Sequence, residues 1–282
     1  MLIEADVQPH DLGPMTIPCP FCHAMHWMAE RRSDSSNRNP RFGDCCKRGK
    51  IGLPKLEPVP QTLRDLLEGQ DHEARQFRQN IRQYNAALAF TSNGGDFGQA
   101  LQGGGPYVLQ LHGELYHQHG SLIPDIGQKP QYAALYIYDP DFALDQRKRN
   151  NPNVSQHVMS ELQEMLHQCN PYVTMYRQAA QRLREQGQNL REQGLNSTIR
   201  ARLTYRAHND PRRYNIPEAD EIAVVLPGEG ITHASRDTVV QLQGGAFQRV
   251  FDTHPSYAPL HYVLLFPQGE LGWHPEILYY DE

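Results

Sequence analysis

Apolar positions recur with a helical period in the middle of the chain and with a two-residue period toward its end. Leu63, Leu66 and Leu67 share one face, and Phe77, Ile81, Tyr84 and Leu88 continue at helical spacing, which predicts a helical pair. Thr91 to Gly105 is glycine-rich and reads as a flexible loop. After Pro106 the pattern alternates. Tyr107, Leu109 and Leu111, then Ala133, Leu135 and Ile137, predict two strands joined by a turn region around Pro124–Pro130. Val154, Val158, Leu162, Met165 and Leu166 predict a helix opened by Asn151-Pro152-Asn153. Pro171 starts another through Met175, Ala179 and Leu183. Arg184 to Gly194, where Arg-Glu-Gln-Gly occurs twice, reads as a solvated helix end or loop. The last third is strand-like at Thr198–Ala207, Glu221–Leu226, Thr238–Leu242 with Ala246–Phe251, and His261–Phe266. Helices and strands are segregated more than alternated, and no parallel βαβ series is evident. The expected class is α+β, with mixed helices and mostly antiparallel strands behind a small N-terminal module.

That module follows neither period. Residues 1–16 read as a loose leader, and residues 17–58 hold four of the five cysteines, with polar filler from Arg31 to Arg41. Pro54, Pro58 and Pro60 form a stiff linker. Residues 59–105 then make a helical segment with the glycine-rich loop, and residues 106–282 an α+β domain. In Cys19-Pro-Phe-Cys22 the two-residue spacing lets both sulfurs reach one metal from a tight turn, and 22 residues separate Cys22 from a second pair, Cys45-Cys46. Four thiolates, or three with an imidazole, complete the tetrahedral shell that Zn2+ prefers. His23 and His26 are rival ligands, His26 above all, because adjacent cysteines do not always point at one ion. Gly43 and Gly49 let the backbone fold around the metal, and Trp27 and Phe42 offer a small apolar cap. So little else here is apolar that metal binding is expected to drive folding. Free thiols are one competing reading. A redox Cys-x-x-Cys is another, though no thioredoxin-like βαβ frame surrounds it.

Composition narrows the classes. A chain of 282 residues accommodates roughly two domains, and 21 Pro and 22 Gly imply many loops and short elements. No apolar run approaches the ~18 residues that span a bilayer, so no membrane partner is expected. Met1 to His10 lacks the basic and apolar segments of a signal peptide, which leaves a cytosolic or nuclear location. There, clustered cysteines favour metal over disulfides. A net charge of −5 and a pI near 6.3 argue against a globally basic nucleic-acid binder but leave room for local basic patches. Gly49-Lys50-Ile51 lacks the hydroxyl and the upstream glycine of a phosphate-binding loop, and Gly103-Gly104-Gly105 runs into Pro106 instead of a lysine. His117-Gln118-His119 imitates a two-histidine metal site, but its central residue is polar. It reads as a solvated His-rich turn, with His112 and His117 bonded within a sheet.

Several longer stretches resemble the N-terminal region of Helitron-type rolling-circle transposases. They begin with Cys19-Pro-Phe-Cys22-His-Ala-Met-His-Trp27-Met-Ala-Glu30-Arg31 and Phe42-Gly-Asp-Cys45-Cys46-Lys-Arg-Gly49-Lys50-Ile-Gly-Leu53-Pro54, which resemble that family's zinc-finger-like segment. The likeness continues through Phe77-Arg-Gln-Asn-Ile-Arg82-Gln-Tyr84-Asn85, Phe90-Thr91-Ser92, His112-Gly113-Glu114-Leu115-Tyr116-His117 and Gly120-Ser121-Leu122-Ile123-Pro124. It resumes at Asp210-Pro-Arg-Arg-Tyr214-Asn215-Ile-Pro217, at His254-Pro-Ser-Tyr-Ala-Pro-Leu260-His261-Tyr262 and at Gly272-Trp273-His274-Pro275. The resemblance implies a nuclear protein whose partners are DNA and the nuclease and helicase domains of a parent polypeptide. It places the nuclease beyond Glu282, so this stretch is expected to be non-catalytic.

Local basic groups stand at Arg31 and Arg32, at Lys47, Arg48 and Lys50, at Arg147 to Arg149, at Arg200, Arg202 and Arg206, and at Arg212 and Arg213. The set beside the cysteines is the first choice for DNA contact, because a metal-braced loop holds its cations in place. Arg200 and Arg202, two apart on an expected strand, are the second, as phosphate contacts without base reading. Three functional expectations result. The first is a DNA-handling accessory region. The second is a structural collar for the nuclease and helicase, or a decayed transposon fragment. The third and weakest is a hydrolase using His112, His117 and His119 with a metal.

Overall fold

The protein is described here from a computed structural model, which covers residues 11–52, 56–97, 111–120, 122, 124, 127–192, 200–203, 222–225, 238–241, 248–275 and 277. Two compact units form, residues 1–55 with 276–282, and residues 56–275. The class is α+β, and every described strand pairing is antiparallel.

The larger unit begins with three short helices, α1 (Gln61–Glu68), α2 (His72–Gln79) and α3 (Ile81–Leu88). The Asp71 side chain caps α2 by accepting from the Ala74 N–H at 2.9 Å. Arg78 donates to the carbonyls of Leu66, Leu67 and Gly69, satisfying the end of α1. Further on come α4 (Pro140–Asn150), α5 (Gln156–Cys169) and α6 (Pro171–Glu192). Leu63, Phe77, Tyr84, Leu88, Met159, Leu162, Tyr172 and Tyr176 meet in one core, so the 59–105 segment shares its interior with α5 and α6. Phe90 lies at the centre, stacked on Tyr136 at 4.4 Å and on Tyr176 at 5.1 Å.

Three readings of the pattern are corrected, and one helix was not anticipated. Tyr132–Ile137 is a 3-10 helix and not a strand, because Ala133, Ala134, Leu135 and Tyr136 are all buried in succession and there is no wet face for alternation to serve. His261–Phe266 is the end of α7 (Tyr257–His261) followed by a turn. Leu260, Val263 and Leu264 are buried three and four apart, and the N–H groups of Leu265 and Phe266 both return to the Tyr262 carbonyl. The glycine-rich loop opens as a strand, β3 (Ser92–Phe97), paired with β4 (Leu111–His119) through an irregularity between Gly94 and Asp96. A Cβ at Gly94 would collide with the Tyr116 ring, so any larger residue there would force that side chain to shift. Finally, α4 gives no apolar stripe because its buried face includes Gln146 and Arg147. Arg147 donates to the carbonyl of Ala87 and the amide oxygen of Gln163, with its guanidinium 4.6 Å over the Tyr136 ring.

β8 (Gln248–Val250) joins the other edge of β4, giving the order β3-β4-β8. A second sheet, β6-β5-β7, is built from β5 (Arg200–Leu203), β6 (Ile222–Val225) and β7 (Thr238–Gln241). The flanks of the strands expected at 198–207, 221–226, 238–242 and 246–251, the strand expected at 107–110, and Arg206, Arg212 and Arg213 lie outside the described residues. Among the described residues no helix is long and apolar enough to cross a membrane.

Candidate metal centre

In the smaller unit a two-residue ladder, β1 (Ile17–Pro18) on β2 (Met25–His26), closes the first cysteine turn. Cys19 donates its N–H to Ala24 at 2.8 Å, and the His23 N–H returns to the Cys19 carbonyl at 3.0 Å. That turn fixes His23 at φ 61° and aims the sulfurs of Cys19 and Cys22 the same way. The second turn mirrors it. The Gly49 N–H donates to the Cys46 carbonyl at 3.0 Å and to its sulfur at 3.2 Å, and the Ile51 N–H also reaches that carbonyl.

The four sulfurs of Cys19, Cys22, Cys45 and Cys46 all lie within 4.8 Å of one another. Cys19 to Cys46 and Cys45 to Cys46 are each 3.9 Å. Zinc–sulfur bonds of about 2.3 Å at tetrahedral angles put neighbouring sulfurs roughly 3.8 Å apart. The four sulfurs are thus close enough to share one metal ion, and far from the ~2.05 Å of a disulfide. Cys45 and Cys46 do both point inward, because the chain reverses immediately after them at Lys47, Arg48 and Gly49, with φ of 46°, 62° and 86°.

The thiols compete for charge. Burial alone would raise Cys19, but the N–H groups of Cys22 and Phe21 and the neighbouring thiols bring it down to about 7. Burial, then the adjacent thiols, raises Cys45, and burial raises Cys46. One thiolate forms readily, and a cluster of four needs a bound cation to hold the rest deprotonated.

The remaining predicted residues take other places. His26 is not among the four close ligand atoms: its Nδ1 lies 2.9 Å from the Glu30 carboxylate, and its ring stacks on Phe42 at 4.0 Å. Phe42 is buried with Cys19 and Cys46, whereas Trp27 is half-buried and donates to the Gly13 carbonyl at 2.7 Å. Arg31 bonds the carbonyls of Arg32 and Ser35. Arg32 and Arg48 share Asp34, at 3.0 Å and 3.3 Å. Lys47 and Lys50 are exposed. Arg200 and Arg202 sit on the central strand β5, Arg200 in register with Val225 and Gln241 and Arg202 with Ala223 and Val239. Asp34 escaped the sequence reading, although an acid amid Arg31, Arg32, Arg38 and Arg41 was its signal.

The His-rich stretch is corrected from a solvated turn to a strand in which His117 and His119 are buried. His112 is exposed, but His117 stacks between Tyr257 and His261, 4.0 Å from each, and its Nδ1 donates to the Tyr257 carbonyl at 3.1 Å. His119 lies 3.0 Å from the Tyr176 hydroxyl. The tight pairing of β4 with β8 puts these rings inside.

No protein-family model matches the chain, and no curated protein matches it.

Proposed function

We propose that residues 11–52 are a zinc module that holds basic side chains against DNA, within a non-catalytic N-terminal region of a Helitron-type rolling-circle transposase. The observation that carries this is the gathering of four sulfurs within 4.8 Å of one another. Soft thiolates select zinc or iron, and the spacing is too tight to enclose a multi-iron cluster. Zn2+ is the ion that structural four-cysteine sites of this kind take. The family part rests on the motifs quoted above, from which nuclear residence and partnership with nuclease and helicase domains also follow.

Residues 11–52 contain seven Lys and Arg against four Asp and Glu. A dication with four thiolates adds two negative charges, so the module is close to neutral as a whole. Placement therefore matters more than net charge. Lys47, Arg48 and Lys50 project from the turn that closes the metal site, where the ion restricts their motion. The pairing of Arg48 with Asp34 is between half-exposed groups and contributes little, so phosphate can replace it.

A triple Lys47→Gln, Arg48→Gln, Lys50→Gln variant that keeps its zinc is expected to bind DNA about tenfold more weakly. Its log-affinity against log-salt slope should fall by about two. An unchanged affinity and slope would favour the structural collar instead. That second reading has its own support: Arg31 is tied to two backbone carbonyls, and Arg32 and Arg48 are tied to Asp34.

A further inference from the structure

Phe21 is 52% exposed, an unusual place for a phenyl ring in a module whose buried apolar cluster holds one aromatic, Phe42. The first cysteine turn explains the exposure. Cys19 and Cys22 face the metal position, so the two residues between them face outward. The ring is nevertheless held. The Gly49 backbone rests against it so closely that a Cβ at that position would lie 3.1 Å from Phe21 Cδ1 and 3.5 Å from its Cβ and Cγ. Gly49 ends the left-handed run Lys47-Arg48-Gly49, a conformation that L-residues rarely adopt. The two cysteine turns thus set an exposed aromatic ring against a cationic reversal, with Lys50 next in the chain.

We infer that Phe21 is a stacking platform for an unpaired base, so that the module's ligand is single-stranded DNA, with Lys47, Arg48 and Lys50 on the flanking phosphates. This rests on the DNA-binding reading above and narrows it. A duplex stacks its bases on one another and offers no internal base face, whereas a single strand offers one at each nucleotide. Stacking on an aromatic side chain is tolerant of sequence and adds affinity without charge. A nearly neutral module gains most from such a contact. The stacking part of the affinity also persists at salt concentrations that weaken phosphate contacts.

The test uses the full chain loaded with zinc, and fluorescence anisotropy on an oligothymidylate of about 12 nucleotides and on a duplex of equal length. Phe21→Leu keeps apolar bulk and removes the ring face, and zinc content shows that the site survives. The expected result is about a tenfold loss for the single strand, little change for the duplex, and recovery in Phe21→Trp. Unchanged single-strand affinity in Phe21→Leu overturns the inference, as does an equal loss on both probes. If Phe21→Leu is silent while the triple basic variant still loses affinity, DNA binding stands and stacking falls. If both variants are silent, the DNA-binding reading fails as well.

Discussion

Replacing Cys46 with serine is expected to release the metal and unfold residues 11–52 while leaving the larger unit intact. The reason is how little else holds this segment. Its buried apolar side chains are Cys19, Phe42 and Cys46, so two of the three belong to the sulfur cluster itself, with Ile17 and Cys45 partly buried against them. Its regular structure is a two-residue ladder, a single 3-10 turn and hydrogen-bonded reversals. A structural zinc ion contributes on the order of 10 kcal/mol of apparent binding free energy, far more than one buried phenylalanine at about 3 kcal/mol. In the Cys46→Ser protein, amide resonances of residues 11–52 should collapse to unfolded positions. Helical circular dichroism should stay, since every described α-helix lies within residues 56–275. A variant that keeps dispersed resonances without metal would mean that packing alone shapes the module.

The second large effect is acid unfolding of the 56–275 unit through its buried imidazoles. Burial pushes His117 down to about 4, with the neighbouring His261 adding to it. Burial pushes His119 to about 3, helped by His254 and His117. His167 falls to about 4 through burial and the charges of Arg177 and Arg147, and burial lowers His261. All lie below the ~6.5 of an unfolded histidine. The unfolded chain therefore takes up protons first as pH drops. The stability contributed by neutral rings is complete above about pH 6.5 and is lost progressively toward pH 3, by several kcal/mol in total. Denaturant titrations followed by helical dichroism should show a falling midpoint between pH 6.5 and 4. A His117→Phe protein, which keeps the stacked ring between Tyr257 and His261, should show a shallower fall. A midpoint flat across that range would contradict the burial assigned to these rings.

The sequence disclosed the cysteine cluster because its geometry is local: two short spacings bring each sulfur pair to one place, and the resulting turns need little from the rest of the chain. The helices around Leu63, Tyr84 and Leu162 were legible for a similar reason, their apolar residues repeating on one face. What failed depended on distant partners. Ala133 to Tyr136 imitates a strand, and only its enclosure on all sides makes it a 3-10 helix. In the stretch from His261 the helical spacing of Leu260, Val263 and Leu264 is masked by the apolar run Tyr262–Phe266, and the stretch is held from afar. The Asn85 amide donates to the His261 carbonyl and accepts from the Leu264 N–H, and the Phe90 N–H reaches the Leu260 carbonyl. Arg147 hid α4, since a buried guanidinium that bonds Ala87 and Gln163 reads as a surface residue until those partners are known. Phe21 passed as filler between two cysteines until its contact with Gly49 could be seen.

X-ray absorption at the zinc edge, with elemental analysis of the reduced protein, tests the four-thiolate site most directly. One zinc per chain with four sulfurs at about 2.3 Å is the expected result. Less than half an equivalent of zinc, iron in its place, or a nitrogen ligand in the first shell would contradict a centre built from Cys19, Cys22, Cys45 and Cys46.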